Sequence, residues 1–199
     1  MIHDSAQDHK NDRHGLRLGA CGWQHAGWEV DFYPDDLPED WRLSYYANEF
    51  HALLLPLSEL RSLDCGPQEL IDEVPEGFRF YLLDDLQCSA EELAEQAALF
   101  QSCLGGVIDN RQQRLLRNGD NQPPLGDAAA SRLWTPQQGG ASGIAVLALG
   151  DLDLRRWRAQ LEQFSRDSGG NLQALFVSDE QVDISDLHQL KTLIELMGL

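Results

Sequence analysis

A chain of 199 residues, 42% apolar and with five tryptophans, is long enough for one domain with a real core and too short for two comfortable ones. Lys and Arg number 15 against 33 Asp and Glu, and the net charge of −18 makes a surface that repels nucleic-acid phosphates and anionic lipid. Neither nucleic acid nor a membrane is therefore an expected partner, and the acidity reads first as solubility.

Residues 1–15 are polar and carry His3, His9 and His14 among aspartates, the pattern of a flexible tail. Those histidines match no compact ligand spacing, and neither a metal nor a cofactor is expected. The opening Met1-Ile2-His3-Asp4 lacks the basic-then-apolar order of a secretory leader. Four cysteines, Cys21, Cys65, Cys88 and Cys103, stand apart with no C-x-x-C pair, which disfavours a zinc cluster or a thioredoxin-type dithiol. A reducing cytoplasm with free thiols is the expected location.

From residue 16 to 199 the pattern is that of one α/β domain. Short apolar runs at 17–21, 52–55, 78–83, 144–149 and 172–177 read as buried strands bounded by turn signals. Helical patterns lie between them. Asp40 precedes a helix over 41–49, and a weaker one covers 67–73. Ser89-Ala90-Glu91-Glu92 forms a capping box ahead of Leu93, Ala97, Phe100 and Leu104. Asp153 precedes Leu154, Trp157, Leu161 and Phe164, and Ser185 precedes Leu187, Leu190, Leu193, Ile194 and Met197. This alternation predicts a parallel sheet covered by helices.

The middle is different. Residues 110–142 are mostly polar and contain Pro123-Pro124 and Gly139-Gly140, with a hint of a helix near 111–117 and no evident strand. So long a loop inside a compact domain is either mobile or the scar of deleted elements. Gly139-Gly140-Ala141-Ser142-Gly143 lacks the lysine and the helix N-terminus of a phosphate cradle, so it reads as a linker.

The order Leu18-Gly19-Ala20-Cys21-Gly22-Trp23, Trp28, Phe32-Tyr33-Pro34, Tyr45-Tyr46-Ala47, Phe50 resembles the opening of the YecE-like family of domains of unknown function, number 72 in that series. The resemblance runs to about Phe80 and returns more weakly in Leu147-Ala148-Leu149-Gly150, Leu154, Trp157 and Leu175-Phe176-Val177-Ser178-Asp179. It implies a shortened, divergent member with a reduced or incomplete TIM-barrel-like fold, its central βα units missing.

The resemblance also implies losses. Where the family pattern carries Glu, Asn, Lys, His and Asn at strand ends, this chain has Leu54, Pro56, Leu83, Leu149 and Val177. Barrel folds build their sites from polar groups at those ends. An unpaired charge in a smaller interior costs several kcal/mol on the order of a buried ion's penalty, whereas a buried leucine contributes about 1.5–3 kcal/mol.

Some chemistry remains to be placed. Asp84 with Asp85, Asp151 with Asp153, and Asp179 with Glu180 follow strands, and Asp84, Asp151 and Asp179 are the candidate acid–base or cation-binding carboxylates. The simpler role for an Asp after a strand is a turn or a helix cap. Cys21 ends the first strand, but no spacing ties His25, His51 or His188 to it as a base. Cys21, Gly22, Trp23, Trp28 and Tyr33 are the candidate pocket residues; the aromatics either wall a pocket or staple the first long loop over the barrel mouth. Arg111, Arg114 and Arg117 form a small basic island, and Trp134 stands alone in the polar middle as a contact candidate.

The leading expectation is a non-catalytic barrel that binds a protein partner or a small ligand, with a homodimer one way to cover exposed sheet edges. The alternative is a residual hydrolase using rim carboxylates and a divalent metal. A structural remnant without activity is the third.

Overall fold

The computed structural model describes residues 15–109, 114–115, 132–134, 143–148, 153–178 and 182–199. The tail to residue 14, Asp151 and Asp179 lie outside the described residues. Three runs predicted as strands form β1 (Arg17–Ala20), β2 (Ala52–Pro56) and β3 (Arg79–Asp84), and an unforeseen β4 (Leu104–Asp109) follows them. The middle contributes β5 (Arg114–Leu115) and β6 (Arg132–Trp134), and the closing unit holds β7 (Gly143–Leu147) and β8 (Leu172–Val177). The helices are α1 (Trp28–Asp31), α2 (Arg42–Glu49), α3 (Leu57–Ser62), α4 (Pro67–Asp72), α5 (Ala90–Leu99), α6 (Leu154–Asp167) and α7 (Ile184–Met197).

The strands form two open sheets, ordered β1-β8-β7-β6-β5 and β2-β3-β4. Pairing among β2, β3 and β4, and among β1, β8 and β7, is parallel throughout. That is the incomplete barrel implied by the sequence, and among the described residues no ladder closes it. The expected strand-free middle is corrected: β5 pairs with β6, and β6 with β7, both antiparallel. A hairpin-like return therefore occupies the edge of β7, and Arg114–Leu115 is extended, not helical.

Three further expectations change. Leu104 opens β4 and does not extend the α5 face, because a 3-10 turn at Gln101–Cys103 ends the helix. The cap of α7 is Asp183, whose carboxylate accepts from the Ser185 amide, with Ser185 inside the helix. A 3-10 turn at Glu39–Trp41 precedes α2, so Asp40 is not its cap. Ser89 and Asp153 do cap α5 and α6, each accepting from a backbone amide in the first turn.

The two sheets meet along β1 and β2, and the seam has an unusual rung. The Gly22 amide donates to the Leu54 carbonyl at 2.9 Å, where Cys21 and Leu54 form a parallel bridge. One rung earlier the Tyr46 hydroxyl is inserted: it accepts from the Ala20 amide at 2.8 Å and donates to the Ala52 carbonyl at 2.9 Å. Gly19 permits this approach, since a Cβ there would fall 2.1 Å from the Ala52 oxygen.

Apolar residues fill both faces of the strands, as expected of parallel strands buried on two sides. Leu53 and Leu55 of β2, Phe80 and Leu82 of β3, and Leu175 and Val177 of β8 face the helices. There they pack with Tyr46, Leu93, Trp157, Leu161, Phe164, Leu187 and Leu190. The alternate residues, Ala52 and Leu54, Tyr81, Ile108, Ile144 and Val146, and Ala174 and Phe176, form a separate inner cluster. Tyr81 and Phe176 meet across it with ring centroids 4.9 Å apart. Gly106 keeps β4 close to β7, because a Cβ there would stand 3.0 Å from Ile144 Cδ1.

Candidate functional site

In an α/β barrel the place to look is the mouth formed by the C-terminal ends of the parallel strands. Here β1 delivers Cys21 and Gly22, β3 delivers Asp84 and Asp85, and β8 delivers Ser178. The start of α3, directly after β2, adds Ser58 and Glu59. Pro56 gives α3 no side-chain cap. Asp85 supplies one from the neighbouring strand instead, with Oδ1 accepting from the Ser58 amide at 3.0 Å and Oδ2 from the Ser58 hydroxyl.

Glu59 lies over Gly22, whose left-handed φ of 77° turns the chain; a Cβ at Gly22 would come 3.1 Å from Glu59 Oε2. Burial, and then the nearby Asp85 charge, raise the Glu59 carboxyl above its ordinary range. The Cys21 thiol is pushed up to about 12, chiefly by burial; a Ser178 hydrogen bond works against this, and the Glu59 and Asp85 charges add to it. A thiol held so firmly protonated is no nucleophile near neutrality.

His25 does not serve Cys21 as a base. It bonds to the backbone of Cys21 and Gly22, and burial lowers its pKa. Its ring centroid lies 4.5 Å from that of Trp28, and its Nε2 is buried without a hydrogen-bond partner among the described residues. His51 is exposed. His188 stacks on Phe50, 5.8 Å away, on α7.

The aromatic candidates fasten the first loop. Trp23, Trp28 and Tyr33 are all buried. The Tyr33 hydroxyl donates to the Trp23 carbonyl at 2.6 Å, and Trp28 Nε1 donates to the Val182 carbonyl at 2.6 Å, tying the loop to the entrance of α7. Trp28 also stacks on Tyr46 with centroids 5.9 Å apart. Asp84 is fully buried, and its Oδ1 accepts from the Cys88 amide at 2.9 Å, holding the turn into α5. The structure thus brings Cys21 and Gly22 together with Glu59 and Asp85, while Asp84 faces the helix side.

The β1 motif, the Tyr46 seam and the aromatic fastening of the loop form one continuous device spanning β1 to β3. Residues 17–107 match the family model described as Protein of unknown function DUF72. Over that stretch the chain is similar to part of a DUF72 (YecE-like) domain. None of the curated proteins and none of the solved structures matches the chain.

The departures from the family pattern have distinct places. Leu54 and Leu83 belong to the inner cluster, so leucines now fill the space beneath the mouth. Val177 points to the helix layer, and its replacement does not alter the interior. Leu149 lies outside the described residues. Among the described residues no three His, Cys, Asp or Glu side chains come together as a metal-binding set. Ser58, Glu59 and Ser178 were not singled out from the sequence; their signal, polar residues immediately after apolar strands, was present.

Proposed function

We propose that this chain is a binding protein whose barrel interior has become structural. One observation carries the reading: the interior is occupied by the packed side chains of β2, β3, β4, β7 and β8, with Tyr81 against Phe176 at its centre. Among the described residues, packed side chains take the space beneath the mouth that a substrate would need. The thiol above it is held protonated. Binding then falls to the outer surface, and a protein partner is the occupant this reading favours. Four free thiols support a reducing, cytoplasmic setting.

The test is a thermal-shift screen of the purified protein against divalent metals, phosphates and common metabolites, with mass by light scattering. The expected result is no saturable shift from any small molecule. A shift abolished by Leu54→Trp, which would overfill the interior, shows that a small-molecule cavity survives and overturns the reading.

A second reading is favoured by the proximity of Glu59 and Asp85: a residual hydrolase holding a divalent cation at the mouth. It requires stabilisation by Mg, Mn or Ca that is lost in Glu59→Gln. Metal-independent melting rejects it.

A further inference from the structure

Away from the mouth, an open groove of about 520 Å³ lies between α6 and α7. One wall is α6, with Arg158, Glu162 and Arg166 at i, i+4 and i+8; the other is α7, with Leu193, Leu196 and Met197 at i, i+3 and i+4. Leu196 is 81% exposed, the highest value among the large hydrophobics with Val30.

The charged side chains lining this groove are Arg158, Glu162 and Arg166. The helix that supplies them, α6, is itself richer in arginine (Arg155, Arg156, Arg158, Arg166) than in carboxylates (Glu162, Asp167), in a protein of net charge −18. Arg158 is paired with Glu162 at 3.0 Å. Arg166 donates to neutral Gln163 at 2.8 Å and meets no carboxylate among the described residues. An apolar stripe beside a guanidinium that meets no carboxylate among the described residues fits an occupant that brings both leucine-type side chains and a carboxylate.

We infer that the α6–α7 groove docks an acidic amphipathic helix of a partner protein. The inference rests on the binding reading above and gives it a surface. The span from Arg158 to Arg166 is eight residues, about 12 Å at the helical rise, which matches roughly two turns of a docked helix. Leucines of the partner helix would lie on Leu193, Leu196 and Met197, and a glutamate on its flank would reach Arg166. Methionine and leucine at a groove floor adapt readily to such anchors.

The probe is a fluorescein-labelled synthetic helix of about 14 residues, with leucines at i, i+3, i+4 and i+7 and glutamates on both flanks. Its twin carries lysines in place of the glutamates. The full chain is titrated by fluorescence anisotropy near pH 7 at low salt. The acidic peptide should bind saturably, and the lysine peptide at least about tenfold more weakly. Leu196→Asp and Arg166→Glu should each weaken the acidic peptide about tenfold. Both sites are exposed, and unchanged circular dichroism and melting confirm folding.

Equal binding of the two peptides, no binding, or binding indifferent to Leu196→Asp overturns the proposal. So does a wild-type dimer that Leu196→Asp converts to monomer, since a second copy would then fill the groove. A small-molecule thermal shift that persists in Leu196→Asp counts against the binding reading itself and leaves the groove measurement intact.

Discussion

The interior of the strand array and its mouth lie one residue layer apart and are chemically opposite. Inside, Leu54, Tyr81, Ile144 and Phe176 make a buried, mostly apolar cluster, from which the Tyr81 hydroxyl reaches out to Arg17. At the mouth, Cys21, Ser58, Glu59, Asp85 and Ser178 are polar, partly solvated, and occupied with each other or with backbone amides. The difference shows where polar groups can persist when a barrel loses strands. A narrowed interior penalises any charge that cannot be paired, whereas loops at the rim retain water and helix N-termini to satisfy it.

The strongest break of that comparison is Phe176→Ala. Removing a fully buried aromatic from the interior should cost about 3–5 kcal/mol by urea unfolding. Ser178→Ala, two residues along at the mouth, should stay within about 0.5 kcal/mol. Equal losses would mean that the mouth is packed as tightly as the interior.

Next in size is the seam that joins the two sheets. Tyr46→Phe withdraws the hydroxyl that serves the Ala20 amide and the Ala52 carbonyl, and should cost about 2–3 kcal/mol. A near-neutral result would show that β1 and β2 close and form that rung directly.

A smaller effect concerns Glu59, whose pKa is raised in the folded protein. The folded state then holds the proton more tightly than the unfolded one, so stability falls as pH rises through and above the ordinary value of 4.5. Glu59→Gln should melt like the wild type in acid and above it near neutrality. A variant that melts below the wild type at pH 7 would show that the ionised carboxylate is stabilising. The least perturbing test is chemical. With its pKa near 12, Cys21 should be alkylated by iodoacetamide at pH 8 at least about tenfold more slowly than in the unfolded chain. Rapid labelling of Cys21, read by mass spectrometry, would contradict a burial-held thiol.

How far all this could be read from the residues depended on whether the signal was local. The strands at β1, β2, β3, β7 and β8 are runs of Leu, Ala, Phe and Val that announce themselves. The fourth strand did not: Gly105 and Gly106 dilute its apolar pattern, and the 3-10 turn before it blends into α5. Helix α3 was missed because it begins without a cap of its own, and the cap it uses, Asp85, lies 27 residues away from Ser58 in sequence. The same separation hid the Glu59–Asp85 pair, which exists only once β2 and β3 are side by side. For β5 and β6, segments of two and three residues are too short to carry a periodicity, and only their pairing with each other, and that of β6 with β7, makes them strands.

The tyrosine rung has a consequence for the order in which the protein assembles. Two backbones can pair as soon as they meet, but this seam also needs a point on α2 to be in place. Amide exchange at Ala20 therefore reports the docking of a helix, where its neighbour Cys21, bonded to the Val177 carbonyl at 2.8 Å, reports the pairing of strands. A single dipeptide thus carries two clocks, one for each half of the fold.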